Sequence, residues 1–172
     1  LILAGNFNMT NSKELFESLV EIGQHPKEYT DTVIIMEEIG HFLDNSVRKI
    51  RKDLKKIELS KDDFTKKISE KLDVFKILRK ASKKWDGGYV IGGMLGHGDS
   101  FVLRDPNGIR PAYYYKDDEV VVVASERPAI QTAFNVNISE IKELNAGDAI
   151  VIKSNGKVII NNVTMEKENK SC

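Results

Sequence analysis

The chain has 172 residues, 41% hydrophobic and 30% charged, and its 26 basic and 26 acidic side chains give a formal net charge of zero. That length suits one domain or slightly more with a substantial core, and the balanced charge argues against nucleic acid or an anionic membrane surface as partner. No apolar run approaches the roughly 20 residues that span a bilayer, no signal-peptide pattern is present, and the one cysteine, Cys172, excludes an internal disulfide framework and fits a reducing, cytoplasmic setting.

The opening run Leu1-Ile2-Leu3-Ala4 is strand-like, with no initiator Met and no polar lead-in. Exposed strand edges are a liability, so the chain reads as a piece of a longer polypeptide. Gly5 to Asn11 is dense in residues that hydrogen-bond their own backbone and reads as a loop. Asn11 or Ser12 then caps a helix, with Glu14 three residues after Asn11 as in a capping box. Leu15, Phe16, Leu19, Val20 and Ile22 share one face of it, and Gly23 is placed to end it. Thr30-Asp31-Thr32 opens a second helix, with Val33, Ile34, Ile35, Ile39, Phe42 and Leu43 turned inward. From Asp44 to Asp63 the chain is rich in Lys and Arg. Val47, Ile50, Leu54 and Ile57 nevertheless recur every three or four residues, which marks an amphipathic helix with a solvated face rather than a nucleic-acid binder. Ser60 with Asp63 opens a further helix, whose buried side runs through Phe64, Ile68, Leu72, Phe75 and Leu78 to Trp85.

Strand signals follow. Tyr89–Leu95 is apolar with small residues inside, as a strand buried on both faces would be. Gly96-His97-Gly98-Asp99 supplies a turn before the extended run Phe101–Arg104. Asp105-Pro106-Asn107-Gly108 carries the residues preferred by a type I turn. Tyr113–Tyr115 and Glu119–Ala124 are two more strands joined by Lys116-Asp117-Asp118. Tight turns between four consecutive strands predict an antiparallel meander, since parallel strands need long crossovers. Ser125 is placed to cap a helix near Glu126, with Pro128 in its first turn. Ile141–Leu144 is a short strand; Ala149–Lys153 and Val158–Ile160 flank Asn155-Gly156, a strong hairpin signal. The first 163 residues read as one partial domain, and 164–172 as a polar, frayed tail.

Few residues announce chemistry. His25, His41 and His97 lack metal-ligand spacing. Gly92-Gly93 and Gly96-His97-Gly98 precede no helix and no GxxxxGK[ST], so they read as close strand packing and a turn rather than a phosphate loop. Composition and periodicity stop at a soluble α+β domain.

The motifs go further. Arg104-Asp105-Pro106-Asn107-Gly108-Ile109-Arg110-Pro111, followed by Ala124-Ser125-Glu126, resembles the glutaminase domain of the amidophosphoribosyltransferase family, the class II glutamine amidotransferases of purine synthesis. Leu3 to Asn11 resembles that family's H-N-G-N-L-T-N segment, Thr30-Asp31-Thr32 its S-D-[ST] segment, and Gly147-Asp148-Ala149 after Glu143-Leu144 its late strand entry. The resemblance implies a transferase with an N-terminal-nucleophile (Ntn) hydrolase fold, a four-layer αββα sandwich with largely antiparallel sheets. It implies glutamine as substrate, attacked by the thiolate of an N-terminal cysteine that this chain lacks. Asn6 (side chain) and the backbone N–H of Phe7 match the family's oxyanion hole, and Asp31 matches the carboxylate that binds the substrate ammonium. The structural alternatives stand beside these roles: Asn6 as a turn residue, Asp31 as a helix N-cap.

Phe7 departs from the family's glycine; a positive φ there would be strained, and its bulk would narrow the pocket. Arg104, Asp105, Asn107, Gly108 and Arg110 read as a structural turn that pins neighbouring loops, although arginines also suit phosphate. The resemblance also implies a C-terminal phosphoribosyltransferase domain as partner, with Mg and phosphoribosyl diphosphate bound there. No metal or cofactor is expected in residues 1–172; an iron–sulfur cluster and homo-oligomer formation are left open for the intact protein. Two alternatives remain: the glutaminase domain of another glutamine-dependent synthase, and a non-catalytic regulatory or interaction domain of the same fold, for which Phe7 is the one hint.

Overall fold

The computed structural model describes residues 1–54 and 60–164. The elements are β1 (Ile2–Met9), α1 (Ser12–Glu21), α2 (Asp31–Leu54), α3 (Lys61–Lys71), α4 (Val74–Ala81), β2 (Gly87–Met94), β3 (Ser100–Arg104), β4 (Tyr113–Lys116), β5 (Val121–Ala124), α5 (Arg127–Phe134), β6 (Lys142–Glu143), β7 (Asp148–Ile152) and β8 (Val158–Asn162). Five strands form one sheet in the order β1-β2-β3-β7-β8, and three form a second in the order β5-β4-β6. Every pairing is antiparallel.

Alternation along the strands builds two cores. Phe7, Met9, Tyr89, Ile91, Phe101, Leu103, Ala149 and Val151 turn to one face of the large sheet and pack on Leu15, Leu19, Ile34, Ile35, Ile39, Ile77 and Leu78 of the helices. Val90, Val102, Ile150, Ile152 and Ile160 turn to the other face and meet Tyr114, Val121 and Val123 of the small sheet. Helix α5 closes the outer side of the small sheet: Ile130 is buried, and the Arg127 guanidinium lies 4.6 Å from the centre of the Tyr113 ring. The order helix, sheet, sheet, helix is the four-layer sandwich that the resemblance implies, and it is α+β.

Several local readings change. The expected loop from Gly5 is strand as far as Met9, because eight consecutive residues of β1 find partners on β2, from Ile2↔Met94 to Met9↔Gly87. The four-strand meander is divided between the sheets: β2 and β3 pair in the large one, β4 and β5 in the small one. The place beside β3 is taken by β7, so the chain crosses over after Arg104. The second helix and the charged helix are one 24-residue helix, α2; Ile57 of that pattern lies outside the described residues, as does 165–172 of the tail. The helix expected from Ser60 toward Trp85 breaks at Leu72-Asp73. Asp73 accepts from the Lys76 N–H at 3.0 Å and caps a new helix, which is what a short polar side chain does best. Ser60 caps α3 through the Asp63 N–H at 3.1 Å. Asn11 stands at the N-cap of α1 but makes no side-chain cap bond; its amide instead holds Lys84 O at 2.8 Å and accepts from Asp86 N–H at 3.2 Å. Glu126, not Ser125, precedes α5.

Candidate active site

β1 is an edge strand among the described residues. Its hydrogen-bond parity follows from its last residues. Thr10 donates its N–H inward to Asp86 O at 2.9 Å, whereas Met9 donates outward to Asp31 Oδ2 at 2.8 Å. Alternate residues of an antiparallel strand point their N–H groups in opposite directions. Phe7, two residues before Met9, therefore directs its N–H out of the open edge, on the side where Asp31 sits. At a rise of about 3.3 Å per residue, the Phe7 and Met9 N–H groups are about 7 Å apart along this edge.

Asn6 pairs with Val90, and cross-strand partners share a face, so its side chain lies on the face between the sheets. The small sheet does not reach that far. Asn6 is exposed there, and at the far end of the same ladder Ile2 and Met94, which pair with each other, are 69% and 52% exposed. Phe7 takes the opposite face and packs against the helix-side core. Its φ is not positive, since Asn135 alone among the described non-glycine residues has φ in that range. The backbone is thus unstrained at Phe7, and its ring is directed away from the face that carries Asn6.

Asp31 is the first residue of α2. Besides the Met9 N–H it accepts the Ser12 hydroxyl on Oδ1 at 2.5 Å, so the carboxylate ties α1, α2 and the end of β1 together. Each oxygen keeps a further lone pair for a donor arriving from the edge. Ser12 and the Met9 N–H were legible only as a possible cap and a loop residue; the Met9–Asp31 contact, 22 residues apart in sequence, leaves no local signal. Asn6 and Asp31 share the margin of β1, the first on its inter-sheet face and the second at its edge.

The turn after β3 is a buried polar hub. Asp105, fully buried, accepts from the N–H groups of Asn107 and Ile109 on Oδ1 and of Arg110 and Tyr89 on Oδ2, at 2.9–3.3 Å. Gly108 N–H closes the turn on Asp105 O at 3.2 Å, with Gly108 at φ +66°, a conformation that suits glycine. The Arg104 guanidinium donates to the carbonyls of Arg110 (2.7 Å), Gly108 (3.0 Å) and Leu144 and pairs with Glu143 at 2.8 Å. Its donors therefore face backbone carbonyls rather than solvent. Asn107 is exposed, and Arg110 is half-buried. Ile109 lies over Gly88, where a Cβ would stand 2.6 Å from Ile109 Cγ2, so the turn presses on β2 opposite Asn8. Among the described residues no group of His, Cys, Asp and Glu is arranged to hold a metal ion, and no helix is long and apolar enough to cross a membrane. Cys172 lies outside them.

The model of the class-II glutamine amidotransferase family matches residues 32–172. It includes the Arg104–Pro111 turn and begins one residue after Asp31. Among curated proteins, the amidophosphoribosyltransferases of Pasteurella multocida (strain Pm70) and Escherichia coli (strain K12) are each 28% identical, over 164 and 165 residues, or 92% of this chain. The chain spans 28% of the length of either. Among solved structures, the chain is similar to a glutamine phosphoribosylpyrophosphate amidotransferase from B. subtilis complexed with ADP and GMP, with a TM-score of 0.63 at 21% identity over 95% of this chain and 29% of that one. A structure described as the allosteric regulatory enzyme of purine biosynthesis gives 0.62 at 20% identity, over 95% and 28%. At these identities the structural likeness speaks for the fold, which is the Ntn-hydrolase sandwich.

Proposed function

The chain belongs to the class-II glutamine amidotransferases, and from that premise we propose that it forms part of the glutaminase region of an amidophosphoribosyltransferase. The whole activity, release of ammonia from glutamine and its transfer to phosphoribosyl diphosphate, requires residues that this sequence does not contain. Its one cysteine is Cys172, so the attacking thiolate comes from an N-terminal cysteine outside it. The phosphoribosyl diphosphate site, with its Mg, belongs to a C-terminal domain.

The observation that carries the reading is the margin of β1. An outward N–H at Phe7 and a carboxylate about two residues further along the edge offer a donor and an acceptor at the two ends of an extended glutamine. Thiolate attack on the side-chain amide turns its carbonyl oxygen into an oxyanion, which the Phe7 N–H and the Asn6 carboxamide stabilise. The amide nitrogen takes up a proton, balancing the one the cysteine thiol lost on becoming a thiolate, the C–N bond breaks to release ammonia, and the thioester that remains is hydrolysed by water. Donors fixed before the reaction stabilise charge that appears only in the transition state, each by roughly 3 kcal/mol. Asp31 holds the substrate ammonium in the ground state, a charge-assisted contact. The match of curated amidophosphoribosyltransferases over 92% of the chain favours this reading over another glutamine-dependent synthase. The unstrained, inward-packed Phe7 weighs against a non-catalytic domain, the reading for which it was the one hint.

The test is made in the full-length enzyme. Asn6→Ala should lower kcat of glutamine hydrolysis by roughly 10²–10³-fold with KM little changed. Asp31→Asn should act mainly through KM, and ammonia-dependent synthesis should survive both. If Asn6→Ala lowers stability while leaving both kinetic constants alone, Asn6 is a structural residue and the assignment falls.

A further inference from the structure

Glu38, midway along α2, is 8% exposed in an otherwise apolar layer. It accepts the indole N–H of Trp85 on Oε2, and its other oxygen has no hydrogen-bond partner among the described residues. It lines a cavity of about 190 Å³ walled by Ile22, Phe42 and Ala81. Trp85, the chain's only tryptophan, is buried edge-on against Tyr89, with ring centres 5.4 Å apart.

The contact closes a ring. Trp85 stands between Lys84 and Asp86, whose backbone groups are held by Asn11 and Thr10; the Thr10 hydroxyl also reaches Asp86 Oδ2 at 2.5 Å. Thr10 follows Met9, whose N–H is on Asp31, and Asp31 lies two turns before Glu38 on α2. We propose that Glu38 and Trp85 form a proton-operated latch that sets how firmly the start of α2, and Asp31 with it, is held against the end of β1. As a positioning device for the carboxylate of Asp31 that holds the substrate ammonium, the latch rests on the glutaminase reading; as a tie between α2 and the turn before β2 it does not.

The surroundings give the latch its range. Burial raises the Glu38 carboxyl to about 7, with the Trp85 bond and the Lys84 charge pulling the other way. Lys80 of α4 and Lys83 and Lys84 of the turn before Trp85 line the same cavity, and Lys84 Nζ lies 3.3 Å from Ser18 Oγ of α1. His41, one turn further along α2, is engaged by Gln24 and Asn45. A neutral Glu38 is at ease against the indole. An ionised one is drawn toward the lysines and water, because an unpaired buried charge is costly.

Fluorescence of Trp85 in the full chain tests this. Between about pH 5 and 9 the emission should shift with a midpoint near 7 at constant helical circular dichroism. Glu38→Gln should abolish the shift, and His41→Gln should keep it. A flat wild-type profile, a shift that survives Glu38→Gln, or one lost in His41→Gln would each overturn the latch. A carbon-13 titration of the wild-type Glu38 carboxyl decides the matter even where a variant folds poorly: a midpoint near 7 supports it, and one below about 5 refutes it. None of these readouts uses glutamine, so latch and glutaminase site stand or fall separately. In the full-length enzyme, KM for glutamine should rise across the same pH range in wild type more than in Glu38→Gln; equal profiles would remove the link to Asp31.

Discussion

Asp99 and Glu38 are two buried carboxyls whose surroundings push their protons in opposite directions. Burial alone would raise Asp99, but Lys153, His97 (Nε2 at 3.0 Å) and the Ser154 N–H (2.9 Å) outweigh it and hold the group below its ordinary range. Its contribution to stability is present above the unfolded value and is lost as pH falls through the folded one. Glu38 has the reverse sign. Its folded value, about 7, exceeds the unfolded 4.5, so the folded state binds the extra proton and stability falls as pH rises between the two. The difference is worth about 3 kcal/mol. Glu38→Gln should therefore gain on wild type by about 3 kcal/mol between pH 4 and pH 8, as read from paired urea melts. A constant difference across that range would show that Glu38 titrates normally.

Elements are joined here by polar ties as much as by apolar faces. Lys153 on the β7–β8 hairpin reaches Asp99 before β3 and the carbonyls of Ser69 and Leu72, so it gathers β3, β7 and the α3–α4 joint. The Arg104–Pro111 turn does the same where the chain leaves one sheet for the other. Asp105→Ala would take the acceptor from four N–H donors, that of Tyr89 in a fully buried place and those of Asn107, Ile109 and Arg110 in the turn. We expect a loss of about 3–5 kcal/mol, seen as a lower denaturant midpoint in the full chain. A fall in phosphate affinity at unchanged stability would instead make the turn a ligand site.

At the scale of the whole molecule, the five-stranded sheet is covered by helices on one face and only partly by the three-stranded sheet on the other. The uncovered part is the margin of β1 that carries Asn6. Nothing in the chain supplies an N-terminal thiolate to this margin. The purified 172-residue chain should release no ammonia from glutamine, measured by a coupled ammonia assay. Turnover that Asn6→Ala abolishes would sink that expectation and relocate the nucleophile.

Helix faces, strand runs and turns were legible because they depend on periodicity within a few residues. Leu15 with Leu19, Ile34 with Ile35 and Ile39, and Asn155-Gly156 all do in the fold what their spacing predicts. The motif from Arg104 to Pro111 pointed to the family by resemblance, and its turn was legible because the Asp105 carboxylate accepts from N–H groups only two to five residues on. What needed the tertiary structure was contact across long separations. β1 runs on through Gly5–Met9 because β2, some 80 residues later, offers eight partners, and backbone pairing overrides the turn preference of Asn and Gly. The direction of the Phe7 N–H comes from that register. The same register puts its ring on the helix face, so the substitution for glycine that looked damaging in one dimension is accommodated. The Glu38–Trp85 contact joins residues 47 apart in the chain. Sequence separation carries no energy by itself, and only the packed fold decides which distant groups lose water together.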